Sequence, residues 1–352
     1  MRLAKAAFCL AVCAVISATS PVFAAKKKAK ASAMPEWVNV PATVYPNDAY
    51  ITYVGNAPDR DSAEIKALQG LASVFGQAVK SSSEASERMI RAKADGKVAS
   101  ASESVFSQDI LRTVDVDSLI GVEAREFWFD GQSTWYAIAV LDKEKAAGIY
   151  SDMIHKNASA MQAIVSRSRS DKNSFDSYAA YDFAEDIALE NENHLKKMSV
   201  IKPAAVSALK SACPSSKEFH AKKMEIAKNI PICVIMQNDE GGRLSAAFSE
   251  AVSSLGFRGS YDGNVRYVLT SSVNFERSDA SDGKTTRCRY NVEGYLLDTA
   301  TQQQIVPFTM SGREGHVDYP EAKNRAVRSL EAKIKKDFAK QFSTYLKNLI
   351  VE

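Results

Sequence analysis

The chain has 352 residues and a mass of 38.4 kDa, with 45% hydrophobic and 25% charged residues. That length and composition fit two or three globular units and exclude general disorder. Lys+Arg 45 against Asp+Glu 42 leaves a net charge of +3, too small for a dedicated duplex nucleic-acid binder. The histidines and cysteines are scattered, without ligand or catalytic spacing, so motifs alone name no reaction.

Arg2 and Lys5 precede an apolar stretch from Ala6 to Ile16, and the segment closes on Val22-Phe23-Ala24. A charged start, a short apolar core and small residues at the cleavage position predict a secretory signal over residues 1–24. The apolar core is well short of the roughly 20 residues a membrane-crossing helix needs. A competing reading takes Leu10-Ala11-Val12-Cys13 as a loose lipoprotein signal with Cys13 acylated, although Val12 stands where a small residue is expected. Cleavage after Ala24 would leave Cys213, Cys233 and Cys288, at most one bridge within the chain. Cys233 and Cys288 sit in strand-like runs and are expected to be small core residues.

Residues 25–34 form a basic, small-residue leader, read as a solvated tether or as a run attracted to anionic headgroups or wall polymer. Ala49 to Gly55 alternates as a strand and Pro58 interrupts it. A helix capped by Asp61, with Glu64 at the reciprocal position, should follow and bury Ile65, Leu68, Ala72, Phe75 and Val79 along one stripe. The polar span Ser81 to Ser104 reads as an excursion between helix and sheet. Val105 to Phe129 and Thr134 to Leu141 predict a long antiparallel hairpin across Asp130-Gly131-Gln132-Ser133. If all four residues form the loop, Trp128 faces Trp135 and Phe127 faces Tyr136; a shorter loop would shift that register. Alternation puts these mainly structural aromatics on both sheet faces.

Lys143 to Asn229 is rich in Ala, Glu, Lys and Met and predicts three or four helices, with interruptions at Asp171, Asn173, Pro203 and Pro214. In the second, Tyr178, Tyr181, Phe183, Ile187 and Leu195 suit packing, while Asp182, Glu185, Asp186, Glu190 and Glu192 suit a solvated face. From Pro231 the pattern becomes strand (Ile232–Met236), helix (Leu244–Leu255), strands near Tyr267–Phe275, Arg289–Leu297 and Gln304–Ser311, and a long closing helix. Pro320 fits that helix's first turn, and Val327, Leu330, Ile334, Phe338, Tyr345 and Leu349 form its stripe. This order predicts an α+β sandwich with helices on one sheet face, whose stripes cover the sheet without help from upstream. Arg313, Glu314, His316 and Asp318 read as a charged loop before the last helix. The expected division is residues 1–24, 25–34, 35–145, 146–229 and 230–352, with the fourth a helical connector.

Few groups suggest chemistry. Asp239-Glu240-Gly241-Gly242 lacks the P-loop Lys-Ser/Thr and reads as a turn leading into a helix. Asp115 and Asp117 project from one strand face with nothing to separate their acidities. His155, His194, His220 and His316 lie on separate elements, and no Gly-x-Ser-x-Gly or Ser-x-x-Lys occurs. No catalytic, cofactor-binding or metal-binding residue is assigned, and no cofactor is expected.

Pro35-Glu36-Trp37, Tyr45-Pro46, the Tyr50–Gly55 strand, the Ala-rich helix and the hairpin ending Trp135-Tyr136-Ala137-Ile138-Ala139-Val140-Leu141-Asp142 together carry a likeness. Residues 35–145 resemble the LPP-twenty surface lipoprotein family and are similar to the N-terminal domain of flagellar assembly protein T. The C-terminal unit resembles small α/β modules of periplasmic outer-membrane assembly and secretion accessories, through Leu255-Gly256-Phe257, the Tyr267 strand and the closing helix. The resemblance implies a non-enzymatic envelope protein, exported to the periplasm or associated with the outer membrane. It would bind an envelope protein or an outer-membrane or flagellar component, with peripheral membrane or cell-wall contact but no nucleic acid. The alternative is an enzyme acting on envelope glycan or lipid through an unrecognised site.

Overall fold

A computed structural model describes residues 33–93, 119–167, 171–279 and 285–349. The signal segment with Cys13, most of the leader, Asp115 and Asp117 lie outside them. The architecture is α+β: a three-stranded antiparallel sheet, a helical middle and a five-stranded mixed sheet.

The first unit starts with a short helix, α1 (Glu36–Asn39), that buries Trp37. Strands β1 (Tyr50–Ala57), β2 (Val122–Phe129) and β3 (Trp135–Asp142) pair in the order β1-β3-β2. Helix α2 (Arg60–Lys93) lies on one face; Trp37 and Tyr45 close the other against Trp128, Ile138 and Val140. Three details of α2 differ from expectation. Asp59, not Asp61, caps it, its carboxylate accepting from the Ser62 amide at 2.8 Å, and the helix runs through the span expected as an excursion as far as Lys93. Its buried row is Ala63, Ala67, Leu71, Phe75 and Val79, while Ile65 is 53% exposed. The reason is backbone proximity: a Cβ on Gly55 would stand 2.3 Å from the Ala67 amide nitrogen, so only alanines fit where β1 meets α2.

The hairpin is also offset from expectation. Its connection runs from Asp130 to Thr134, so Trp128 faces Tyr136 and Phe129 faces Trp135. The Asp130 carboxylate accepts from the amides of Gln132, Ser133 and Thr134 at 2.7–3.0 Å, and Gly131 takes φ +80°. This nest of three amides on one side chain stabilises the longer loop. β2 begins at Val122; residues 105–118 lie outside the described residues. Trp128 and Tyr136 pack on one sheet face and Phe127 and Trp135 on the other, as alternation requires.

The middle holds four helices among the described residues: α3 (Lys143–Arg167), α4 (Phe175–Ile201), α5 (Pro203–Ser211) and α6 (Ser216–Lys228). Ser174 and Ser215 cap α4 and α6 by accepting from Ser177 and Glu218 amides. α4 belongs to both ends of the molecule. Phe175 and Tyr178 are part of the C-terminal core; Met198 and Ile201 are part of the N-terminal core.

The last unit comprises β4 (Pro231–Gln237), α7 (Arg243–Ser253), β5 (Arg258–Ser260), β6 (Tyr267–Asp279), β7 (Thr286–Asp298), β8 (Gln303–His316), α8 (Tyr319–Lys333), a π-helical segment (Ile334–Phe338) and α9 (Ala339–Asn348). The sheet order is β5-β4-β6-β7-β8, with β4 parallel to β5 and β6 and the rest antiparallel. The three-residue β5 was not anticipated; it lacks any periodic signal. The closing helices bury Ala322, Ala326, Leu330, Ile334, Phe338, Phe342 and Leu346, one residue in every four. A regular helix repeats every 3.6 residues, so such a row drifts around it. The wider π turn at Ile334–Phe338 offsets part of that drift and keeps Phe342 and Leu346 on the sheet. Arg313, Glu314 and His316 lie in β8 rather than in a loop. Cys233 and Cys288 are buried as expected, and all three described cysteines are free.

Candidate binding face

Strand alternation builds two unlike faces on the five-stranded sheet. Ile232, Leu269, Val273, Tyr290, Val292, Leu296, Phe308 and Met310 point into the core under α7, α8 and α9. The intervening residues form the opposite face, which no described helix covers. Cross-strand register orders this face in rows: Glu276, Arg289 and Arg313; Asn274, Asn291 and Ser311; Ser272, Glu293 and Thr309. Gln237 and Ile235 extend it onto β4, opposite Ser272 and Thr270, and Ile235 is 45% exposed.

Two shallow troughs mark the face. One of about 470 Å³ is lined by Gln237, Ser272, Glu293, Tyr295 and Thr309 among others; the second, of about 520 Å³, by Asn274, Glu276, Arg289, Asn291, Ser311 and Arg313. Local amide contacts hold the two glutamates: Asn291 Nδ2 donates to Glu293 Oε1 at 2.7 Å and Asn274 Nδ2 to Glu276 Oε1 at 3.3 Å. Sequence reading missed this face. Its signal was the strict alternation of polar residues in β6 (Thr270, Ser272, Asn274, Glu276), β7 (Arg287, Arg289, Asn291, Glu293) and β8 (Thr309, Ser311, Arg313), which marks a solvated sheet face as surely as apolar alternation marks a core.

The groups singled out in the sequence do not converge. The amides leading into α7 are taken by the protein itself: Asp239 accepts from the Ser245 amide and hydroxyl at 2.8 Å, so no anion cradle remains. His155 lies on α3, His194 on α4, His220 on α6 and His316 on β8, and among the described residues no His, Cys, Asp and Glu group could hold a metal. The acidic side of α4 is corrected in part: Asp186 and Glu190 are exposed as expected, but Asp182, Glu185 and Glu192 are bonded rather than solvated. Lys223 Nζ of α6 lies 2.6 Å from Glu185 and 2.9 Å from Asp182. His220 Nδ1 lies 3.0 Å from Glu185, and Glu192 accepts from the Ser216 amide and hydroxyl at 2.9 and 2.8 Å. Burial pulls the Lys223 ammonium down in basicity, but its bonds to Glu185 and Asp182 outweigh that and raise its pKa. These contacts fasten α6 to α4.

His194 is buried against Tyr150, with ring centroids 5.5 Å apart. Glu190 lies 3.4 Å from its Nε2; neither ring nitrogen makes a hydrogen bond. Burial lowers its pKa, only partly countered by Glu190. In the N-terminal unit, burial and a 2.7 Å bond to Glu126 push the Tyr45 hydroxyl up to about 12. Both groups are structural: neither opens onto a trough.

No known family profile and no curated protein matches the chain. Among solved structures, the secreted protein HP1454 from Helicobacter pylori is similar over 81% of this chain and 97% of its own, at 11% identity and a TM-score of 0.42. A minor lipoprotein from Acinetobacter baumannii covers 36% of this chain and 92% of its own, at 17% identity and a TM-score of 0.24. A putative lipoprotein from Caulobacter crescentus covers 34% and 90%, at 17% identity and a TM-score of 0.24. Among the described residues no helix is long and apolar enough to cross a membrane.

Proposed function

We propose that the protein is an exported cell-envelope protein that acts by binding, as an accessory in assembling or maintaining an outer-membrane or flagellar structure. One observation carries this reading. The C-terminal sheet presents a broad polar face with shallow troughs, backed by a continuous apolar core. A flat, hydrogen-bonding surface on a rigid scaffold suits recognition of a partner; catalysis calls for a concave pocket with convergent, unequally titrating groups. The charged start, apolar core and Val22-Phe23-Ala24 ending support export.

The test is photo-cross-linking in intact cells, with the reactive group placed at Thr309 on the open face or at Lys340 on α9. Mass spectrometry should show a mature chain lacking residues 1–24. Thr309, but not Lys340, should join to an outer-membrane or flagellar component. Retention of residues 1–24, or equal products from both positions, would overturn the reading.

A further inference from the structure

Arg289 and Arg313 occupy directly opposed positions on β7 and β8. Both are exposed and share one trough. Opposed like charges on neighbouring strands are unfavourable, and no ion pair compensates them: among the described residues neither guanidinium pairs with a carboxylate, although Glu276 faces Arg289 across the β6–β7 pair. Glu276 is held instead by Asn274. The next row along the strands, Asn274, Asn291 and Ser311, offers amides and a hydroxyl, and the Ser272, Glu293 and Thr309 row beyond it continues the hydrogen-bonding surface. The face is thus net cationic in the row of Arg289 and Arg313, neutral and rich in donors and acceptors in the Asn274, Asn291 and Ser311 row beside it, and anionic at Glu293 beyond that.

Resting on the binding role assigned to this face, we infer that it takes an anionic saccharide. A phosphate or carboxylate bridges Arg289 and Arg313, and sugar hydroxyls bond Asn291, Asn274 and Ser311. Planar guanidinium forks suit such anions, while short amide and hydroxyl groups both donate to and accept from sugar hydroxyls. A bare anion would use only the first row, and a neutral sugar only the second. The anion also removes the repulsion between the two arginines, so the face is prepared for negative charge.

The experiment is titration calorimetry of the full mature chain at low salt with glucose 1-phosphate, galacturonate, glucose and inorganic phosphate as probes. Glucose 1-phosphate or galacturonate should bind at least fivefold tighter than glucose or inorganic phosphate. R313Q and R289Q should weaken that binding at least tenfold, N291A severalfold, and R325Q on α8 not at all. R313Q should melt no lower than the wild-type chain without ligand, since the change relieves a like-charge contact; this separates lost binding from lost fold. Equal affinity for all four probes, or unaltered binding by R313Q, overturns the inference. If the sugars fail while Thr309 still cross-links, the ligand class falls and the binding face stands; if Thr309 gives no product while the sugars bind, the assembly role falls and the saccharide site stands. Vesicles bearing a phosphorylated glycolipid, compared with soluble wall glycan, then distinguish the two sources of the same chemistry: retention of the chain by one and not the other identifies the source.

Discussion

His194 carries the clearest consequence of burial on a single residue. Its imidazole sits beside Tyr150 and Lys197, and burial, reinforced by the Lys197 charge, lowers its pKa below the ordinary 6.5. The folded state therefore binds a proton less readily than the unfolded chain, and falling pH favours unfolding once it passes the ordinary value. Stability should be full above pH 7 and decline between about pH 6.5 and the lower folded value. His194→Phe keeps a ring against Tyr150 and removes the titration. Urea midpoints at pH 7.5 and 5 should diverge for the wild-type chain and converge for the variant; equal divergence in both would assign the acid loss to other groups. The sequence showed His194 as one of four scattered histidines. It could not show the burial, which comes from α3 folding back on α4 and setting Tyr150 against His194.

Elements were legible where periodicity is carried by large side chains and illegible where it is carried by small ones. The β6 to β8 meander follows its apolar pattern closely; the closing helix buries Leu330, Ile334 and Phe338 of its expected stripe together with Ala322, Ala326, Phe342 and Leu346, while Val327, Tyr345 and Leu349 are only partly buried. The α2 stripe was misplaced because Ile65 and Leu68 outweigh Ala63 and Ala67 on any hydrophobicity count, although the alanines make the buried seam. The seam is set by Gly55: a methyl group there would reach 2.3 Å from the Ala67 nitrogen and 2.7 Å from the Ala63 carbonyl oxygen. Both obstacles are backbone, so relief requires the whole helix to shift from the sheet. Gly55→Ala should therefore destabilise the N-terminal unit by about 3 kcal/mol, at the upper end for overpacking a core. Because Trp37 and Trp128 lie on the far face of this sheet, tryptophan fluorescence during urea unfolding reports it. A change below about 0.5 kcal/mol, as for an ordinary surface substitution, would mean that the β1–α2 approach is looser than described. The hairpin register was missed for a related reason: its loop length is decided by three amides bonding Asp130, a local contact without hydrophobic signature.

At the scale of the molecule, the connector expected between two units proves to be a shared part of both cores. The C-terminal stripes do not cover their sheet unaided. Phe175 of α4 stacks on Tyr267 with centroids 3.7 Å apart and meets Phe257 and Phe342 edge-on at 5.3 Å. Its amide donates to the Tyr267 hydroxyl, and the Tyr178 hydroxyl donates to the Leu255 carbonyl. Arg266 pairs with both Asp298 and Asp171, tying the start of α4 to the β6–β7 sheet. At the other end of the same helix, Met198 and Ile201 pack with Val79, Leu141 and Tyr150. A rigid helix anchored at both ends transmits unfolding from one core to the other. Two probes separate the cores: all three tryptophans, Trp37, Trp128 and Trp135, belong to the N-terminal unit, while buried Cys233 and Cys288 belong to the C-terminal one. In the wild-type chain, loss of tryptophan signal and gain of reactivity at these thiols should coincide along a urea series. Phe175→Ala removes the anchor at a cost of about 3–5 kcal/mol, a large share of the roughly 5–15 kcal/mol that holds a domain folded. Thiol exposure in that variant should move to lower urea and separate from the tryptophan transition. If the thiols of the wild-type chain stay protected well beyond the tryptophan transition, α4 is a passive spacer and residues 230–352 stand as an independent unit.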